Sequence, residues 1–264
     1  AILQAGDSGK TVLRGCQMIS DVIMRMVAIL MNLAPYGVFC LLAKLFTSQG
    51  FSAIINLALY FGTIVFVLFL HASVVYTSIF ALLTRLNPLT LFKNMRPALL
   101  FAFSTSSSNA TMPITLNVAR TRVGAHNSIA SFTIPLGATV NMDGTAIMQG
   151  IATVFIAQAY GLDLAVGEYL AVVATATLAS IGTAGVPGVG LITLAMVLQQ
   201  VGLPVEGIGL IIGVDRLLDM MRTVVNVSGD GMVTAVVANS EGMLDKDVFN
   251  DLSEQDDSQP LQSS

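Results

Sequence analysis

The sequence predicts an all-α membrane protein: several membrane-crossing helices, two re-entrant helical hairpins and discontinuous spans. Three observations predict it. First, 54% of the 264 residues are hydrophobic and only 11% charged, whereas soluble domains carry about 25% charge; mean hydropathy is +0.78. Second, long apolar segments at 19–46, 54–83, 129–160, 169–201 and 207–238 each exceed the roughly 20 residues needed to span hydrocarbon. Third, polar and Gly/Pro-rich stretches interrupt the apolar pattern at regular places. A large soluble helical core is the competing class, and the charge deficit argues against it.

The elements follow in order. Residues 1–15, "AILQAGDSGKTVLRG", form a cytoplasmic lead-in with no signal-peptide pattern, as expected of a chain cut from something longer. Residues 16–48 and 52–86 are two membrane spans; Pro35 is expected to kink the first, and its methionines Met18 to Met31 to pack rather than bind metal. Residues 97–118 form a hairpin entering from the cytoplasm, with "STSSSNATMPIT" at its tip. Residues 128–160 form a span broken at "NMDGT", and 168–202 a second hairpin from outside, with "SIGTAGVPGVGLIT" at its tip. Residues 207–240 form the last span. Residues 241–264 carry seven acids and one lysine and are expected to be a disordered tail.

Loop charges set the orientation. Lys10, Arg14, Arg85, Lys93, Arg96, Arg120 and Arg122 fall on one side and only Lys44 on the other, which places the first set in the cytoplasm. The alternation works only if 97–118 and 168–202 each leave on the side they enter. The C-terminus is then cytoplasmic and the chain multi-pass in the plasma (cell inner) membrane.

The interruptions have a physical cost. Ser, Thr, Gly and Pro leave backbone groups without intrahelical partners, and lipid cannot bond them. Such backbone survives only buried in protein or lining a polar cavity. Each tip is followed at a similar distance by a polar span: Ser106 to Asp143 is 37 residues and Thr183 to Asp219 is 36. Paired interrupted segments in two halves point to a transporter binding site. An unwound "NMDGT" would offer carbonyl oxygens and a carboxylate to a small hard cation such as sodium; a kink held by Asn and Asp side chains is the structural alternative.

The last span is the most informative. Asp215, Asp219, Arg222, Asn226 and Asp230 fall within a wedge of roughly 80° at about 100° per residue. Ionisable groups at mid-membrane cost about 2.5–3.5 kcal/mol each, so the stripe must face a partner. An Asp219–Arg222 ion pair is one resolution and a ligand-filled cavity the other. Arg222 offers a planar fork matched to a carboxylate, and Asp219 a partner for an ammonium, which suits an acidic amino acid.

"SSSNATMPIT", "NMDGT", "SIGTAGVPGVG" and "DRLLDMMRTVVNVSGD", in that order and spacing, resemble the glutamate/aspartate transporter family of sodium-coupled dicarboxylate and amino-acid symporters. The resemblance covers residues 15–240 and implies the family's elevator fold without its N-terminal spans, in a homotrimer. It implies that substrate meets Ser107, Ser108, Thr145, Val186, Asp219, Arg222, Thr223 and Asn226. One sodium is expected among Gly137, Asn141, Asn226 and Asp230. A second is expected between Thr139 and the hairpin backbone at Ser180, Ile181 and Thr183, and Asp143 with Asn141 is expected to form part of a third. Gln149 stands where the animal carriers have a glutamate tied to proton and potassium coupling, which resembles sodium-coupled prokaryotic aspartate carriers.

The expected function is therefore sodium-coupled symport of L-aspartate or L-glutamate, with a C4-dicarboxylate or proton-coupled glutamate symporter as the alternative. Sodium ions are co-transported and no organic cofactor is expected. The partners are a small acidic solute and the lipid bilayer. Nucleic acid is not expected, since there is no basic cluster or aromatic stacking motif. The competing classes are an intramembrane hydrolase using Ser107 with His71, disfavoured because no base is placed near the serines, and an ion-conducting pore. Cys16 and Cys40 lie roughly 36 Å apart on a helix and cannot form a disulfide. His71, in "LFLHASVV", is expected to be a packing histidine rather than a proton relay.

Overall fold

The computed structural model describes residues 52–251 continuously, with isolated helical positions between 11 and 47. Pro35, Cys16 and residues 252–264 lie outside the described residues, as does most of the first expected span. Residues 1–50 and 51–264 form two compact units, and the account below concerns the second.

The regular elements among the described residues of the second unit are all helices, apart from one isolated β-bridge. Helix α1, Ser52–Leu70, runs through a π-turn, His71–Tyr76, into α2, Thr77–Thr84. The continuous stretch Ile55–Thr84 is long and apolar enough to cross a membrane. Its outer face exposes Leu59, Phe66, Phe69 and Leu82, an apolar surface suited to lipid rather than water.

Helices α3, Pro88–Thr105, and α4, Ser108–Thr121, follow as a packed pair. Asn87 caps α3, its side chain accepting from Leu89 N at 2.9 Å, with Pro88 in the first turn where its missing N–H costs nothing. The pair turns at Ser106, a non-glycine residue in the left-handed region (φ 53°), and Ser107, whose Oγ caps α4 by accepting from Ala110 N at 3.1 Å. The run of small hydroxyl residues thus makes the turn and caps the next helix.

Helices α5, Asn127–Val140, and α6, Asp143–Ala159, form one apolar run with a break. The break is narrower than the "NMDGT" motif suggests: Asn141 and Met142 leave helical geometry, while Asp143, Gly144 and Thr145 already form the first turn of α6. Helices α7, Val166–Ser180, and α8, Val189–Gln200, pack through Val172, Ala176 and Val197. Their connection, 181–188, is irregular, with Gly182 and Gly188 at positive φ. The closing helix α9, Ile208–Ser240, is 33 residues long, about 50 Å at 1.5 Å per residue, and packs against α3, α5 and α6. Close approach to α3 depends on Gly231, where a Cβ would stand 2.5 Å from Met95 Cε.

The start of the expected disordered tail is instead ordered onto the bundle. Residues 246–250 form a short helix, α10 (Lys246–Asn250), capped by Asp245. Phe249 is fully buried and stacks on Phe80 at 6.0 Å. Asn94 Nδ2 donates to the Phe249 carbonyl at 2.8 Å, Asp245 N to Gly124 O at 2.8 Å and His126 N to Met243 O at 3.0 Å. One large aromatic and backbone pairing suffice to dock a segment whose overall composition reads as solvated.

Candidate functional site

The polar wedge of α9 points inward. Asp215, Asp219, Arg222, Thr223, Asn226 and Asp230 are all buried, Arg222 at 1% exposure. Its Nη2 donates to Asp219 Oδ1 at 2.8 Å and lies 3.2 Å from Asp215 Oδ1. The internal ion pairs set out as the alternative are therefore present. They engage one of three guanidinium nitrogens: Nε and Nη1 are buried with no hydrogen-bond partner. Orphaned buried donors of a cation are expensive, so Nε and Nη1, on different edges of the guanidinium, are each left to meet an acceptor.

The second hairpin connection lies over this group. Gly188 N, at the start of α8, donates to Asp219 Oδ2 at 2.9 Å, an arrangement favoured by the positive end of the helix. Further along, α8 crosses the guanidinium so closely that a Cβ on Gly190 would stand 2.9 Å from Nη1. The first hairpin tip meets the second: Ser107 Oγ donates to Gly185 O at 2.6 Å, and Asn109 N to the same carbonyl at 3.1 Å. Ser108 is buried in the first turn of α4 and Val186 lies within the opposite tip. Thr145 joins through Asn226 Nδ2, 3.5 Å from its Oγ1. Thr223 sits one turn beyond Asp219 and bonds back to its carbonyl at 2.8 Å.

The expected cation ligands gather in three places. Asn141 Nδ2 donates to Asp230 Oδ1 at 3.0 Å and to Asn226 O at 3.3 Å. Gly137 lies so near that a Cβ would overlap the Asp230 carboxylate. Asn226 Oδ1 accepts from Gly144 N at 2.8 Å, tying α9 to the break. Thr139 O accepts from Gly182 N at 2.6 Å, which brings it to the connection carrying Ser180, Ile181 and Thr183; Ser180 and Thr183 are buried and Ile181 exposed. Asp143 follows Asn141 by two residues and opens α6. The donors are carboxylate, amide and backbone oxygens, a hard set suited to sodium rather than to a soft metal.

Two residues outside the expected site join it. His71 does not merely pack on an apolar face: its Nε2 lies 3.2 Å from Asp143 Oδ2, and Tyr76 donates its O–H to the same oxygen at 3.0 Å. A histidine in a lipid-facing run is itself a signal, because intramembrane ionisable groups are costly; its partner, 72 residues away, carries no periodic signature. Gln149, fully buried, donates to Thr193 Oγ1 at 2.6 Å, so α6 and α8 are linked beside the site. A cavity of about 430 Å³ lies elsewhere, between α1, α6 and α7, lined by Leu59, Ile151, Val154, Phe155 and Val173; none of the wedge residues line it.

A helical bundle with a lipid-suited surface, a broken helix and buried charges under two meeting tips has the build of a membrane transporter's core. Comparison with known proteins agrees: the model of the sodium:dicarboxylate symporter family matches residues 1–240, and the chain belongs to that family. It is 42% identical over 233 residues to excitatory amino acid transporter 3 of Mus musculus, covering 88% of this chain and 45% of that protein. It is 42% identical over 221 residues to excitatory amino acid transporter 1 of Mus musculus, covering 83% and 41%. An excitatory amino acid transporter of Caenorhabditis elegans is 38% identical over 239 residues, 90% of this chain and 48% of that protein. The chain spans about half the length of the relatives it matches.

Proposed function

We propose that the protein is the binding and coupling part of a sodium-driven symporter of acidic amino acids, L-aspartate or L-glutamate, and not an enzyme. One observation carries this reading: Arg222 is buried with Nε and Nη1 unpartnered, beside Asp219 and beneath the tip of the second hairpin. The fork would take the side-chain carboxylate and Asp219 the ammonium. An ammonium at Asp219 competes with Gly188 N–H for Oδ2, so occupancy and tip position are linked. Ser107 and Ser108, Thr145, Val186, Thr223 and Asn226 complete the pocket.

Sodium ions, co-transported and without an organic cofactor, occupy the groups at Gly137, Asn141, Asn226 and Asp230, at Thr139, Ser180, Ile181 and Thr183, and at Asp143 with Asn141. Asp215 and Asp219 pair with Arg222, whereas the buried Asp230 carboxylate meets the neutral Asn141 amide, and a cation there would offset its charge. The packed pairs α3–α4 and α7–α8 serve as the re-entrant hairpins of an elevator-type transport domain, within a homotrimer in the plasma membrane. Gln149 cannot carry the proton a glutamate would, which supports sodium coupling without potassium counter-transport. The names of the relatives, excitatory amino acid transporters, support an amino-acid substrate over a plain dicarboxylate, as does Asp219.

Vesicles holding the full-length protein should take up radiolabelled L-aspartate saturably, driven by an inward sodium gradient. Arg222→Cys should abolish that uptake. Sodium-independent, unsaturated flux contradicts the symport reading, and unchanged aspartate affinity in Arg222→Cys removes Arg222 from the pocket.

A further inference from the structure

Asp143 is held by a device in the preceding span. In an α-helix residues five apart lie about 140° from each other around the axis, so His71 and Tyr76 would address different neighbours. The π-turn spanning these six residues, with its wider i→i+5 coil, brings their rings together instead, edge to face with centroids 4.6 Å apart. Both donors then converge on one oxygen, Asp143 Oδ2. The Tyr76 hydroxyl is also wedged against α9, where a Cβ on Gly229 would stand 2.6 Å from it and overlap Asn141 Nδ2. Asp143 Oδ1 has no hydrogen bond among the described residues.

We propose that His71 and Tyr76 are positioning residues for cation binding: the π-turn aligns them to saturate Asp143 Oδ2 and present Oδ1, beside Asn141, to a sodium ion. This rests on the sodium-coupled reading above. Two donors on one oxygen fix the carboxylate plane, and a pre-oriented ligand binds its ion more tightly than one free to rotate. Charge matters less than donation here, because a neutral imidazole with its proton on Nε2 suffices. Neither side chain needs to touch the ion or the amino acid.

The test is equilibrium binding of labelled L-aspartate to the purified full-length carrier, with sodium varied at fixed aspartate and aspartate varied at saturating sodium. Tyr76→Phe and His71→Leu should each raise the sodium half-saturation roughly three- to tenfold, the indirect effect of losing one orienting bond, of the size of an ordinary net hydrogen bond. Aspartate affinity at saturating sodium should stay within about twofold. His71→Gln, which keeps an amide donor near Nε2, should stay near wild type. Unchanged sodium half-saturation in both Tyr76→Phe and His71→Leu overturns the proposal. So does an equal fall in both affinities with a lowered melting temperature, the signature of a merely structural role. Wild-type aspartate binding that ignores sodium overturns the symport reading itself, before any variant is compared.

Discussion

At the scale of single residues, glycines set the distances on which the site depends. Gly144 brings α6 onto α9, where a Cβ would stand 2.8 Å from Arg222 O, and Gly190 lets α8 pass over Arg222 Nη1. Neither has positive φ, so space rather than backbone conformation selects glycine at both positions. Gly190→Ala should therefore displace the guanidinium or the helix above it and weaken aspartate affinity about tenfold, measured by competition against labelled substrate. Gly150 has open space around its Cβ position and makes a control: Gly150→Ala should leave affinity unchanged. Equal effects at the two glycines would contradict the close-contact account. The polar wedge of α9 was legible because period 3.6 alone aligns its charges. His71 was not, because its partner is reached through a π-turn, and one hydrophobic run cannot reveal a local change in helical pitch.

At the scale of elements, the interruptions at 106–107, 141–142 and 181–188 could be expected from composition, since hydroxyl and glycine runs have few ways to continue a helix. What composition could not show is that the tips touch, with Ser107 and Asn109 both bonding Gly185 O. The docking of α10 was hidden for another reason. Seven acids in the last 24 residues dominate the pattern, while one aromatic, Phe249, contributes the burial. Phe249→Ala should remove a large side chain from a closed site beside Phe80 and cost about 3–5 kcal/mol, seen as a lower thermal midpoint. Leu82→Ala, at 79% exposure, should shift the midpoint little. A Phe249→Ala midpoint equal to wild type would mean that the C-terminal segment is not part of the folded unit.

At the scale of the molecule, α9 is the common wall. It contacts α3, α5, α6 and α8 and carries Asp219, Arg222, Asn226 and Asp230, so the groups proposed for the amino acid and for the cations share one continuous helix. Movement is then expected at the connection 181–188, which has no regular helical ladder of its own. That segment is held to α9 through Gly188 N–Asp219, to the broken helix through Gly182 N–Thr139, and to the first tip through Gly185. All three contacts are made with groups assigned to substrate, sodium or the opposing tip. Ligand occupancy should therefore decide whether the connection is shut. The most direct measurement is the alkylation rate of Val186→Cys in the full-length protein, with Cys16 and Cys40 replaced. Sodium with L-aspartate should slow modification well below the rate in potassium. An alkylation rate indifferent to both sodium and aspartate would contradict a binding site between this tip and the polar face of α9.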